Sequence, residues 1–587
     1  MGLLDVNPKP GTLRCSARKE TVMTPDRRSF LIAGGAAVAG LATPDVALAD
    51  AAEDAQKFIA DHERNVKPLE VLAGLAWWDA NISGKDEDFK KKENAQNEID
   101  AALSNKPAFA KLKAIKEAGD KGELKDPLVA RQIDLLYLAY LEKQVDPDLL
   151  KRITAKSNSV EQQFNVFRAK VDGKEMADSE VRSVLKNSND SAVRQKIWEA
   201  SKGVGKAVEA DLKELVGLRN DAAKKLNFLN FHAMMLTLNE QKGDELIKLF
   251  DELDALTKEP FKLAKTDIDD RLAAKFSIKA DELMPWHYFD PFFQESPAVF
   301  KADLDAPFAS ADILKLCEEF YAGIGLPIAD VLARSSLKEK AGKSPHAFCS
   351  DIDREGDVRV LANIKNNEYW MGTMLHELGH AVYSSKNIPK KLPYVLRAEA
   401  HILTTEGVAM QFERFSKSRA WLVKMGVRID NPQAFEEAAA KVQRNQLLIF
   451  SRWCQVMLRF EKGMYEKPEQ DLNKLWWDLV EEYQQVKRPK GRSAPDYASK
   501  IHICSAPVYY HNYMMGQLFA SQVHHALSKE LGTNPNATIY IGDKRVGDFM
   551  KKKVFEPGRT LDWKGLTKFA TGEELTPQAF AKDFQGK

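Results

Sequence analysis

The sequence has little of three features that would each indicate a particular class of protein. Its 587 residues include only five cysteines, and 86 basic residues are balanced by 85 acidic ones. Five widely spaced cysteines without a C-x-x-C pair exclude a disulfide scaffold and a cysteine zinc site. The balanced charge lacks the basic excess of nucleic-acid-binding proteins. The sequence also lacks an apolar run of about 20 residues, the length that a membrane-spanning helix needs. We therefore expect no nucleic-acid partner and no stable membrane insertion.

What is present fits a soluble globular protein, with 44% hydrophobic and 29% charged residues. The length suffices for several domains or for one large bilobed domain. It gives no prediction of the oligomeric state. Four of the cysteines are predicted to be buried free thiols, with a single disulfide as the alternative in an oxidising compartment. They are Cys317, Cys349, Cys454 and Cys504.

The N-terminus predicts an export signal. Arg27 and Arg28 precede Ser-Phe-Leu, a short apolar run over 31–42, and the triplet Ala47-Leu48-Ala49. This order is typical of a twin-arginine signal with an A-x-A cleavage site. We therefore expect residues 1–49 to be removed, residues 50–587 to form one domain, and the mature protein to be periplasmic or secreted.

The rest of the chain predicts a mostly α-helical fold. Apolar residues recur at three- and four-residue spacing through most of it, with charged residues between them. Alternating patterns are scarce: DVRVLANI (357–364) is the best strand candidate, and ATIYIG (537–542) is a weaker one. No repeat or low-complexity linker divides the chain. We expect one large body of packed helices with a small strand element just before residue 376.

The segment HELGH (376–380) predicts a metal site. Residues four apart lie on one face of a helix, so His376 and His380 can direct both imidazoles at one metal ion. Glu377 between them can reach a metal-bound water, which is the chemical reason for the H-E-x-x-H pattern. The neighbouring residues are apolar, and two buried imidazoles without a partner would be costly. The pattern favours Zn²⁺ with a third protein ligand.

Two downstream glutamates are candidates for that third ligand. Glu399 and Glu406 both lie in LRAEAHILTTEGVAMQFERF. Their spacing from His380 does not decide between them.

The two segments together resemble the angiotensin-converting enzyme family of peptidyl dipeptidases. In that family H-E-M-G-H precedes F-R-E-G-A-N-P-G-F-H-E-A-I-G. Placing Arg397 on the family's arginine sets Glu406 on the ligand glutamate without a gap, and leaves Glu399 as a surface or supporting carboxylate. The resemblance implies a large bilobed helical metallopeptidase with a deep central groove and one zinc ion per chain.

A second block of resemblance implies residues that contact the substrate. SKIHICSAPVYYHNYMMGQLFASQVHHAL (499–527) is similar to the family's K-F-H-I-P-S-S-V-P-Y-I-R-Y-F and F-H-E-A-L, with one extra residue in the turn. The matching positions imply that Tyr513 and His502 stabilise the transition state. Lys500 and Tyr510 match the residues that bind the terminal carboxylate of the peptide.

Two weaker matches complete the implied substrate site. SPHAFCSD resembles the H-A-S-A strand that pairs with the peptide backbone, which implies roles for His346, Ala347 and Cys349. The family's carboxylate-binding glutamine falls near MPWHYFD, where His287 is the nearest match.

The sequence also departs from the family pattern. Asn512 and Val480 stand where the family has its chloride-binding arginines, so chloride activation is not expected. Met410 stands where the family has an acidic residue that orients a zinc-binding histidine. The resemblance therefore leaves the partner of that histidine unassigned.

These assignments predict a zinc peptidase that releases dipeptides from the C-terminus of oligopeptides. Glu377 would activate the zinc-bound water for attack on the scissile carbonyl and then protonate the leaving amine. One alternative is an oligoendopeptidase of the thimet type, which shares H-E-x-x-H and a distant glutamate. Another is an inactive peptide-binding homologue.

Overall fold

A computed structural model describes residues 50–176, 178–297, 299, 303–344 and 346–584. The predicted export signal lies outside these residues. The fold is mostly helical, with 69% helix and 3% strand, which confirms the predicted fold class. The bilobed shape and the central groove stay predictions. Within the described residues, no helix is long and apolar enough to cross a membrane.

The helices, α1 to α21 in chain order, account for most of the described residues. They are Ala51–Ser83, Asp86–Leu103, Lys106–Asp120, Pro127–Glu142, Pro147–Val166, Asp178–Asn187, Ser191–Lys225, Phe231–Leu238, Gly243–Phe276, Ile313–Gly323, Ala329–Arg334, Glu368–Val382, Ile402–Glu413, Arg419–Lys424, Pro432–Glu466, Leu472–Leu479, Ile501–Ser505, His511–Leu531, Lys544–Met550, Trp563–Thr571 and Gln578–Lys582.

Four short strands form two antiparallel hairpins within the described residues. β1 (Ala169–Val171) pairs with β2 (Lys174–Met176), and β3 (Phe348–Asp351) pairs with β4 (Val358–Leu361). The second hairpin packs on α12. It confirms the strand predicted within 357–364 and its position beside HELGH.

The weaker strand prediction, over 537–542, is wrong. Tyr540 has a φ of +65°, which is incompatible with an extended strand. Its hydroxyl is bonded to Gln411 and His524. This segment is therefore held by side-chain hydrogen bonds and not by pairing with a neighbouring strand.

The helix α12 that carries HELGH is buried nearly all round. Asn367 caps its N-terminus by accepting a hydrogen bond from the backbone N–H of Trp370. From Met374 to Val382 every residue is buried. A helix buried on all faces belongs in a protein core. The polar side chains of HELGH therefore need partners that compensate the cost of burying them.

Glycines allow α12, α13 and α18 to pack at very short range. A Cβ on Gly379 would lie 2.7 Å from the Cα of Ala409, and one on Gly407 would lie 2.7 Å from the carbonyl oxygen of Gly516. Both are closer than side chains tolerate. The glycine within HELGH is therefore needed for the helix that supplies Glu406 to reach α12.

The four described cysteines are buried and unpaired, which confirms the prediction of free thiols. Burial raises the pKa of the Cys504 thiol to about 12. Such thiols act as small apolar side chains.

Candidate metal centre and peptide-binding site

The structure brings His376, His380 and Glu406 together in a fully buried cluster. The Nε2 atoms of the two histidines are 3.0 Å apart, and Oε2 of Glu406 is 3.5 Å from Nε2 of His376. One ligand atom from each residue lies within 4.8 Å of the others. The third member is Glu406, as the family spacing implies.

This donor set fits zinc. Tetrahedral sites with metal–ligand bonds of about 2.0–2.1 Å hold their ligand atoms about 3.3 Å apart. Two imidazole nitrogens at 3.0 Å from each other repel electrostatically unless a cation or a proton lies between them. Two histidines and one carboxylate are a donor set that zinc hydrolases use.

Both histidines are oriented through their second ring nitrogen. Nδ1 of His380 is 2.8 Å from Oγ1 of Thr405, and Nδ1 of His376 is 3.0 Å from Oε2 of Glu413. Such partners fix the tautomer and direction of a metal-binding imidazole. Glu413 thus offers His376 the acidic partner that the resemblance left unassigned.

Sequence reasoning missed Glu413, although a signal was present. Glu413 lies seven residues after Glu406, which is two turns along the same face of α13. It is the next acidic residue on the side of α13 that faces HELGH.

The predicted base and the predicted substrate strand are neighbours. Glu377 is 2% exposed and lies on α12, against which β3 packs. Burial, and next the negative charge of Glu377, raise the pKa of the Cys349 thiol well above its usual range. His346 and Ala347 directly precede β3 and are partly exposed, so this end of the strand is accessible.

An aromatic series connects His502 with the two predicted tyrosines. The rings of His502 and Tyr510 are 4.8 Å apart, and those of Tyr510 and Tyr513 are 5.3 Å apart. Tyr513 precedes Gly516 by one turn, and a Cβ on Gly516 would lie 3.1 Å from the Cβ of Glu406. The series therefore ends beside the helix that supplies the third ligand.

Lys500 lies beside Tyr510, the middle ring of this series. Its ammonium is about 5 Å from the ring centres of Phe292, Trp453 and Tyr510, at 5.3, 5.3 and 5.4 Å. It also donates a hydrogen bond of 2.7 Å to Oε1 of Gln294. A buried cation is thus held by aromatic faces and a neutral amide.

Gln294 is the second residue that sequence reasoning missed. Asp290 fixes its loop, because the Asp290 carboxylate accepts hydrogen bonds from the backbone N–H groups of Phe292, Gln294 and Glu295. The only local signal was one amide in an aromatic stretch, PFFQES.

His287 has other partners. Its Nε2 is 2.7 Å from Oγ of Ser191, and its Nδ1 accepts a hydrogen bond from the backbone N–H of Met284. Burial, and next the positive charge of Arg194, lower the pKa of His287 to about 4. The structure gives the place beside Lys500 to Gln294.

Neutral groups surround one of the two departures from the family's chloride sites. Asn512 accepts a hydrogen bond of 2.7 Å from Nε2 of Gln241, whose Oε1 is 2.7 Å from Nε2 of His511. The other departure, Val480, is 5% exposed. Burial lowers the pKa of His511 well below its usual range. The network of Asn512, Gln241 and His511 therefore adds no positive charge.

Glu399 is separate from the metal ligands. Its backbone carbonyl accepts a hydrogen bond from Nε of Arg559. Burial, and next the negative charge of Asp351, raise the pKa of Glu399 to about 7.

The mostly helical body thus carries a buried two-histidine, one-glutamate cluster on an H-E-x-x-H helix, and this cluster could hold a metal ion. The family model for angiotensin-converting enzyme matches residues 49–586, and the chain belongs to that family. The angiotensin-converting enzyme-related protein of Drosophila melanogaster is 23% identical over 324 residues, or 51% of this chain and 50% of that protein. The chain thus spans about half the length of the curated relative it matches.

Proposed function

We propose that the protein is a zinc peptidyl dipeptidase, which releases dipeptides from the C-terminus of oligopeptides. The observation that carries this proposal is the buried Lys500 ammonium, which the rings of Tyr510 and Tyr513 link to the helix that supplies Glu406. A cation at a fixed place is what a free peptide carboxylate needs.

His376, His380 and Glu406 would hold the zinc ion. Zinc, when bound, supplies a Lewis acid that lowers the pKa of a water molecule toward about 7. Glu377 lies between the two histidines, where its carboxylate can accept the proton of the attacking water and return it to the leaving amine.

Tyr513 and His502 supply hydrogen-bond donors for the charge that develops on the scissile carbonyl oxygen. Burial, and next the positive charge of Lys500, lower the pKa of His502 well below its usual range. His502 is therefore neutral, and it donates through whichever ring nitrogen carries the proton. Preorganised donors of this kind contribute about 2.7–4 kcal/mol each in other hydrolases.

Lys500, Gln294 and Tyr510 bind the terminal carboxylate of the peptide. The ammonium of Lys500 provides the charge, while the amide of Gln294 is held by the loop around Asp290. Fixing the terminus at one place determines which peptide bond reaches Glu377. His346, Ala347 and Cys349 would bind backbone on the other side of that bond.

Mass spectrometry of the products from one free-acid peptide and its C-terminal amide tests this function. We expect successive loss of dipeptides from the acid and little cleavage of the amide. Equal cleavage of both would indicate the thimet-type oligoendopeptidase instead. No cleavage of either by a zinc-loaded protein would indicate an inactive peptide-binding homologue.

A variant of the carboxylate site sharpens the test. Lys500→Met should lower kcat/KM for the acid by at least a hundredfold, because a charge-assisted hydrogen bond in a buried site is lost. Its effect on the amide should be small. Lys343→Met is the matched control, since Lys343 is also buried but donates to the backbone carbonyls of Ser336, Lys338 and Ala362.

We further propose that the twin-arginine segment exports the protein to the periplasm. Cell fractionation of the full chain, with Arg27→Lys and Arg28→Lys combined as the matched variant, tests this. Retention of the double variant in the cytoplasm is the expected result. An unchanged distribution would refute the export signal.

A further inference from the structure

The turn between the helices that carry His502 and Tyr513 is strained. Val508 has a φ of +56° and is 4% exposed. β-branched residues rarely adopt this left-handed conformation. Val508 follows Pro507, and a proline followed by a positive-φ residue is the order of a type II turn, where glycine or asparagine normally takes the second place. The backbone preference of valine therefore does not explain the positive φ in this turn.

A buried carboxylate holds the strained residue. Oε1 of Glu461, on α15, accepts a hydrogen bond of 2.9 Å from the backbone N–H of Val508. Glu461 is 2% exposed, so the bond is shielded from water. Burial raises the pKa of Glu461 to about 8, against the opposing effects of the Val508 N–H and of Arg219. Both protonation forms of the carboxyl group can accept this hydrogen bond.

The strained turn joins two groups of site residues. On one side the N–H of Ala506 bonds to the carbonyl of His502, and on the other the N–H of Tyr513 bonds to the carbonyl of Tyr510. The resemblance to the family implies one extra residue in this stretch. The conformation of the turn therefore affects how close the ring of His502 lies to those of the tyrosines.

We propose that Glu461 is a positioning residue that holds Val508 in its left-handed conformation and so brings His502 and Tyr510 together. Without this bond, the turn relaxes toward the extended conformation that valine prefers. Tyr510 and Tyr513 then rotate away from His502. The proposal rests on the proposed peptidase function for its kinetic consequence, and its structural consequence is independent of that function.

A double-mutant cycle between Glu461 and Val508 tests the proposal. Glu461→Ala should lower kcat on a free-acid peptide about tenfold, with less change in KM, because the oxyanion donors are displaced. Glu461→Gln should keep most of the activity, since an amide oxygen can accept the same bond. In a Val508→Gly background, Glu461→Ala should cost less than about threefold, because glycine adopts positive φ without strain.

Hydrogen exchange gives a readout that does not depend on activity. Amides in the peptide that covers 505–510 should exchange at least tenfold faster in Glu461→Ala than in Glu461→Gln. Asp254→Ala is the matched control. Asp254 binds Arg452, which lies on α15 like Glu461, and Asp254 does not contact the turn. It should lower the thermal stability without changing exchange in 505–510.

Three results would overturn the proposal. They are equal losses from Glu461→Ala with valine and with glycine at 508, unchanged exchange in 505–510, and a similar loss of kcat in Asp254→Ala. If the wild type cleaves no peptide, the proposed function fails. The exchange experiment then still decides whether Glu461 holds the turn.

Discussion

Replacing Gly379 within HELGH by alanine should weaken zinc binding without removing any ligand. The new Cβ would lie 2.7 Å from the Cα of Ala409, whereas ordinary contacts of this kind are 3.4–4 Å. The helices α12 and α13 must therefore separate by about 0.7 Å or more. Since metal sites tolerate deviations of about 0.2 Å, the movement should displace Glu406 from His376 and His380.

Two opposing terms set the effect on stability. Alanine favours a helix over glycine by about 0.8–1.0 kcal/mol, whereas overpacking a core costs about 1–3 kcal/mol. The clash is with backbone, which cannot rotate away, so we expect the packing term to win and the melting temperature of the metal-free protein to fall.

Chelator competition and thermal unfolding with and without zinc measure both effects. We expect the Kd for zinc to rise at least tenfold and the stabilisation by saturating zinc to shrink accordingly. Gly217→Ala is the matched control, because a Cβ there would meet nothing within 4 Å and helix propensity should stabilise the protein. If Gly379→Ala binds zinc as the wild type does and melts no lower, the close approach of α12 and α13 does not set the metal geometry.

Three further predictions follow from single contacts. Glu413→Gln should weaken zinc binding about 10- to 100-fold, because a neutral amide replaces the negative charge beside Nδ1 of His376. The exposed Glu436→Gln should leave zinc binding unchanged, and equal affinities of the two variants would refute the role of Glu413. Chloride added at constant ionic strength should leave kcat/KM within about twofold, because Asn512 binds a neutral amide; a several-fold rise would contradict this. Because the pKa of Glu461 is raised to about 8, its contribution to stability is full below about pH 4.5 and is lost as the pH rises to about 8. The melting-temperature difference between wild type and Glu461→Gln should decline over that range, and a constant difference would refute the raised pKa.

The cluster of His376, His380 and Glu406 could be predicted because its signals are local or have a defined spacing. His376 and His380 are four residues apart on one helix, and burial of their neighbours already required a compensating partner. The choice of Glu406 over Glu399 needed the family resemblance, because both glutamates are close enough in sequence. The structure makes the choice physical: α13 begins at Ile402, so only Glu406 lies on the helix that packs against α12.

The proposed carboxylate site could not be predicted in full because its parts are distant in sequence. Lys500 and Gln294 are brought together by the packing of several helices, and nothing in the residues around 294 indicates a binding role. His287 was assigned from the nearest polar residue in one segment. Its two ring nitrogens are taken by Ser191 and Met284, which only the folded chain determines.

The site departs from the family pattern at three places. At each place this chain has a different polar contact. Glu413 lies 3.0 Å from Nδ1 of His376 and two turns beyond Glu406, whereas the resemblance implies a residue one turn beyond in the family. Gln241 and Asn512 form a neutral network where the family has an arginine that binds chloride. Glu461 holds a turn that carries one extra residue. In each case a buried polar group with a definite partner lies where this chain departs from the family pattern, so the geometry of the proposed site depends on residues other than those of the family.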